Sequence, residues 1–206
     1  MKKMKIYLLD RNRAICRKWR QEFKDIENVE VVLDDFGNFM DGHSEIDGVV
    51  SPANGFGMMD GGYDYAITCH FGDTLMKAVQ RKIIREYYGI QPIATCISVP
   101  IPKRKNADGK QMYLLHTPVM TTPEVVLDPL LIYHAMRNTM MEAKKLHLES
   151  IVIPAWGGQC GCVPPSVIAK NMRYAYEQIE TPNTMINWDV IEMYEKQFQT
   201  ELRSLR

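Results

Sequence analysis

The feature that most constrains this chain is its alternation of short aliphatic runs with longer stretches of helical periodicity. Lys5–Leu9 reads as a strand, and Arg13–Phe23 behind an Asp10/Asn12 cap region reads as a helix. Its apolar Ile15, Trp19 and Phe23 recur at spacing four, on one face. Val29–Leu33 and Ile46–Val50 are further strands; the second is closed by Ser51-Pro52, because a residue before proline is driven to extended geometry. Helical patterns over Tyr63–His70 and Thr74–Tyr88 end at Gly89. Ile93–Ile101 and Met112–His116 read as strands joined through a charged segment with an Asp108-Gly109 turn. Asp128–His147 reads as a helix ending in Lys144-Lys145, and Ser150–Pro154 as a buried strand. Val163–Ile179 is a helix opened by Pro164-Pro165, and Asp189–Leu205 a closing helix capped by Asp189. Such alternation predicts an α/β fold, a three-layer α/β/α sandwich with a mixed, largely parallel central sheet. In these sheets, ligands lie outside the carboxyl ends of the strands.

At 206 residues, without repeats or a linker, the chain is expected to be a single domain over 1–206. Its 25 basic and 25 acidic side chains cancel. That removes the electrostatic basis for sequence-independent binding to nucleic acid or to a membrane surface. An anionic ligand must then be held locally, by backbone amides and helix ends. The five cysteines lack framework spacing, which predicts a reducing, cytoplasmic setting. Cys160-Gly161-Cys162 has no second close pair to complete a metal site, so no metal is expected. The apolar run Ile6–Leu9 is too short for a signal-peptide core or a membrane span.

Two strand-to-helix loops are rich in glycine: Ser51–Asp64, and "IPAWGGQCGCVPP" over Ile153–Pro165. Glycines let backbone approach closely and allow successive N–H groups to converge on phosphate oxygens, with helix N-termini behind them. Neither loop fits the dinucleotide fingerprint or a Gly-Lys-Ser/Thr phosphate loop. Ser51 is not in a nucleophile elbow, since Pro52 follows it.

The spacing in the first loop is more specific. Ser51-Pro52-Ala53-Asn54, a five-residue stretch, then Asp60-Gly61-Gly62-Tyr63-Asp64-Tyr65-Ala66-Ile67 resembles the macro domain, an ADP-ribose-binding module. That family's loop runs Asn-Ala-Ala-Asn, a short variable stretch, then Gly-Gly-Gly-Val-Asp-x-Ala-Ile. Asn54 matches the last Asn and Asp64 the acid, ten positions apart, as in the hydrolytic members. "VVLDDFGNF" looks like the family's Gly-Asp-Ile-Thr element, with Asp35-Phe36 as the matching pair. The second loop resembles Pro-Ala-x-Gly-Thr-Gly-x-Tyr-Gly-x-Pro. Lys5–Val32 fits least, so residues 1–32 are expected to form an atypical strand–helix–strand start. "TPNTMINW", where a last core strand would fall, is short and polar for that place.

The resemblance implies a set of roles. The Asp35 carboxylate would accept the adenine amino group, beside Phe36. Amides at Gly61, Gly62 and Gly158 to Gly161 would hold the diphosphate. Asn54 would meet the distal ribose hydroxyls, and Asp64 would orient or deprotonate an attacking water. Ala53, Trp156, Gly157, Gln159, Cys160 and Cys162 complete the expected contacts, with Trp156 a pocket wall and Asn187 with Trp188 near the adenine edge. Two positions depart from the family: Asp60 replaces a glycine, and Cys160 stands where an aromatic usually covers the ribose. The implied partner is ADP-ribose or an ADP-ribosylated substrate, with no cofactor. The implied reaction is hydrolysis of mono-ADP-ribosyl esters. The alternatives are an ADP-ribose 1″-phosphate phosphatase and a non-catalytic ADP-ribose reader.

Overall fold

The aliphatic runs become strands β1 (Lys5–Asp10), β2 (Val29–Leu33), β3 (Gly48–Ser51), β4 (Ile97–Lys105), β5 (Gln111–His116) and β6 (Ser150–Ile153). They belong to a computed structural model that describes residues 3–197. The helices are α1 (Arg13–Glu22), α2 (Phe36–Gly42), α3 (Gly62–Phe71), α4 (Asp73–Tyr87), α5 (Leu130–Lys145), α6 (Pro165–Glu180) and α7 (Trp188–Gln197). The strands form one sheet of order β2-β1-β6-β3-β5-β4. Every pair is parallel except β4 with β5.

Alternate residues of the central strands feed two cores, as a sheet covered on both faces requires. Ile6, Leu8, Val50, Leu115, Ile151 and Ile153 face one way, into a cluster with buried residues of α1, α5 and α6. Tyr7, Leu9, Val49, Leu114 and Val152 face the other way, toward Phe36, Phe39, Ile67, Leu75, Val79 and Ile83 of α2, α3 and α4. The three layers expected from the alternation are therefore present.

The atypical start proves central. No strand follows α6 among the described residues; the place between β2 and β6 is filled by β1. The polar "TPNTMINW" segment is a connector into α7. This puts the carboxyl end of β1, and the loop Asp10-Arg11-Asn12 that follows it, inside the sheet, flanked by the ends of β2 and β6. The loop is fixed locally: Asp10 Oδ1 accepts from the Asn12 N–H at 2.8 Å, and Asn12 Oδ1 caps α1 by accepting from the Ala14 N–H at 2.8 Å.

Other boundaries differ for identifiable reasons. The β4 strand begins at Ile97 rather than Ile93, because Ala94 takes a left-handed conformation (φ 60°) and donates to the Pro118 carbonyl. The closing helix is capped by Asn187, whose side chain accepts from the Val190 N–H, and not by Asp189. Its expected end, residues 198–205, lies outside the described residues. The short α2 has no counterpart in the sequence reading.

At the amino ends of the strands, away from the ligand loops, Asp47 ties three elements together. Its buried carboxylate accepts from Asn106 Nδ2 at 2.6 Å, the Glu149 N–H at 2.7 Å and the Ser150 N–H at 3.1 Å. Removing it strands buried donors at the start of β6 and at the tip of the β4–β5 hairpin. Asp47→Ala is therefore expected to cost about 2–3 kcal/mol in a denaturant titration.

Candidate functional site

A cleft of about 710 Å³ opens over the carboxyl ends of β1, β6 and β3. That is the position at which parallel sheets gather their ligand loops. Of the expected site residues, the cleft is lined by Asn54, Asp64, Asp35, Phe36, Ala53, Gly61, Gly62, Gly157, Gly158, Gln159, Cys160 and Gly161. Trp156 and Cys162 are not on its surface. Trp156 is fully buried, and its indole N–H donates to the Thr117 carbonyl at 3.0 Å. Cys162 is exposed beyond the turn. Asn187 and Trp188 do not line the cleft either; Trp188 is 76% exposed at the start of α7.

The first loop is held by its own polar groups. Asn54 Oδ1 accepts from the N–H groups of Phe56 at 3.1 Å and Met58 at 3.3 Å, closing an Asx-type turn. Its carbonyl oxygen is thus committed to the loop, and its NH₂ is the group left for a hydroxyl in the cleft. Gly61 caps α3, and Gly62 follows with φ 54°. A side chain at Gly62 would meet Gln159 Oε1 at 2.5 Å, so the two loops touch there.

The second loop folds on itself. The Val163 N–H donates to the Gly157 carbonyl, and the Cys162 N–H to the Gln159 carbonyl, both at 3.0 Å. A Cβ at Gly161 would lie 2.7 Å from the Gly157 Cα, so only glycine fits that crossing. The Val126 N–H donates to the Gly161 carbonyl, pinning the turn to the 119–129 segment. Cys160 Sγ rests 3.5 Å from Met120 Sδ, and both residues line the cleft.

Asp64 is the most unusual charge. It lies in the first turn of α3, yet only 7% of it is exposed. Ser51 Oγ, at the end of β3, donates to its Oδ1 at 2.6 Å. Burial raises its pKa to about 7, against the bonds from Ser51 and the Ala53 N–H and with added repulsion from Asp60. Asp60 itself is exposed at the cleft mouth. A group with that pKa exchanges a proton near neutrality, which suits it to general-base work. Asp35, unlike Asp64, is not deeply buried. It is half-buried and caps α2, accepting from the Asn38 N–H and side-chain amide at 2.9 Å each.

Sequence reasoning passed over Asp10, Arg11, Asn12 and Asp34, which line the same cleft. The signal was available: a strand-to-helix loop behind an aliphatic run belongs at the ligand end of a parallel sheet. Among the described residues, no group of three or more His, Cys, Asp or Glu side chains is placed to hold a metal. Nor is any helix among the described residues long and apolar enough to cross a membrane.

Comparison with known proteins places this geometry. The family model described as Macro domain matches residues 50–172, more than half of the chain. Solved structures share the fold. The macrodomain of Mycobacterium tuberculosis DarG aligns with TM-score 0.55 at 15% identity, over 66% of this chain and 84% of that one. The Oceanobacillus iheyensis macrodomain with ADP aligns with TM-score 0.53 at 20% identity, over 78% and 86%. The macrodomain of Thermus aquaticus DarG gives 0.53 at 16%, over 65% and 83%. With both glycine turns of the matched segment meeting over one cleft, the chain belongs to the macro domain family.

Proposed function

We propose that the cleft binds ADP-ribose and that the protein hydrolyses mono-ADP-ribosyl esters. The observation that carries the reading is the pairing of Asn54 with a buried Asp64 under two touching glycine turns. The Oceanobacillus macrodomain, similar in fold, is described with ADP and, as a glycine-to-valine variant, with ADPR. In the proposed pose, adenine lies at Asp35 and Phe36 and the diphosphate along the amides of Gly61 and Gly62 and of Gly157 to Gly161. Ala53 and Cys160 frame the distal ribose, and the Asn54 NH₂ donates to its hydroxyls.

The chemistry then follows from position. Water adds to the anomeric carbon and the ester C–O bond breaks. The carboxylate leaves with the bonding pair, and Asp64 takes the proton from water. Neutral Asp64 at low pH would orient the water without accepting that proton.

The exposed Cys160 supports a second reading. A thiol covers less of the ribose than the family's aromatic, which fits a reader that binds without turnover. Calorimetry with ADP-ribose, paired with mass spectrometry of a mono-ADP-ribosylated acidic peptide, separates the two. Binding with release of ADP-ribose is expected. Binding without release sinks the hydrolase and leaves the reader; absence of binding overturns both.

A further inference from the structure

We propose that Arg11 is a phosphate-binding residue of the cleft, supplied by the β1–α1 segment that precedes the matched family region. This rests on the nucleoside-diphosphate reading above. Five aspartates line the cleft, Asp10, Asp34, Asp35, Asp60 and Asp64, and Arg11 is the only Lys or Arg among the lining residues. A diphosphate entering such a surface meets like charge, so its amide contacts work against a repulsive background. Arg11 is the one side chain there able to offset it.

The guanidinium attracts the neighbouring Asp10 carboxylate through space but forms no bond to it. Its residue is exposed, and it makes no ion pair or side-chain hydrogen bond among the described residues. By contrast, Arg173 is held by both Asp25 and Glu177. An unpaired arginine at a cleft edge keeps its full set of donors for a ligand oxygen.

Strand register fixes where it stands. Asp10 is paired with Leu33 of β2, so Arg11 lies beside the Asp34-Asp35 end of that strand. On its other side Leu8 is paired with Ile153 of β6, so the loop toward Gly157 leaves the sheet next to the end of β1. Arg11 therefore stands between the proposed adenine end and the glycine turn. In a ligand stretched between those points, that interval holds the proximal ribose and the first phosphate. Asn12 and the capped N-terminus of α1 keep the loop from shifting.

The test compares wild type, Arg11→Ala and Arg11→Lys by calorimetry with ADP-ribose, ADP and adenosine, at low and high salt. Arg11→Ala is expected to bind ADP-ribose and ADP about tenfold or more weakly, the scale of a hydrogen bond to a charged group. Adenosine binding should be unchanged, the salt dependence of ADP-ribose binding shallower, and Arg11→Lys intermediate. Because Arg11 is exposed, the melting temperature should not move. Unchanged ADP-ribose affinity in Arg11→Ala overturns the proposal. An equal loss for adenosine also overturns it, by putting the guanidinium on the base instead. Wild type failing to bind ADP-ribose or ADP is a separate result, one that removes the nucleoside-diphosphate reading and this contact with it.

Discussion

Asp64→Asn is expected to retain ADP-ribose binding while losing turnover by about 10²–10³-fold, the scale of a general base removed from its substrate. Asparagine keeps the shape and can still accept from Ser51 Oγ, now 2.6 Å from Asp64 Oδ1. The latch between β3 and α3 therefore survives while proton acceptance is lost. Single-turnover release of ADP-ribose, alongside calorimetry, measures the two effects separately. Full activity in the Asn variant would reduce Asp64 to a latch between β3 and the first turn of α3.

The pH profile follows from the same group. With its pKa raised to about 7 by burial, Asp64 is mostly protonated below neutrality and ionised above it. Turnover should rise with pH and level off beyond that midpoint. Stability should move the other way. The folded state holds a proton on Asp64 that the unfolded chain releases near the ordinary carboxylate value. Stability is therefore lost as pH rises from about 4 to 7. Asparagine has no such dependence. Relative to wild type, Asp64→Asn should gain roughly 2 kcal/mol between pH 5 and pH 8, read by denaturant titration at both values. A gap independent of pH would mean that the carboxylate ionises in the fold as it does in solution.

Much of this architecture was legible because it follows period and punctuation. The spacing of Ile15, Trp19 and Phe23 indicated α1, and Phe23 as well as the other two is buried. The Asp108-Gly109 signal indicated the β4–β5 hairpin, where Gly109 takes φ 76°. The loop spacing indicated which segments meet over the cleft. What stayed hidden was determined by pairing across the sheet rather than by local pattern. Nothing in "KIYLLD" says that it inserts between β2 and β6, since any strand buried on both faces reads alike. That Asp10 and Arg11 follow a strand was legible, but which cleft loops stand beside them depends on that hidden pairing. Asp35 was legible only in part: its match to an adenine acceptor was visible, but its work as the cap of the seven-residue α2 was not. Short helices without a clear apolar stripe leave little trace in sequence.

Trp156→Ala is expected to destabilise the fold by about 3–5 kcal/mol, the cost of emptying a large aromatic site. Sequence position suggested a pocket wall, since Trp156 directly precedes Gly157 and Gly158. The side chain instead turns into the core, with no exposed surface, in the same buried cluster as Ile132, Met136, Val163 and Val167. Its N–H bond to the Thr117 carbonyl links the exit of β6 to the exit of β5, where Thr117 also bonds Thr139 at 2.8 Å. Trp156→Phe keeps most of the volume and loses that bond, so about 1 kcal/mol is expected beyond the volume lost. A pocket wall would behave in the opposite way, with ADP-ribose affinity falling and the denaturation midpoint barely moving. A loss below about 1 kcal/mol in Trp156→Ala would return the residue to the cleft. The expected result makes it the peg that holds the second glycine turn at the height where the first can meet it.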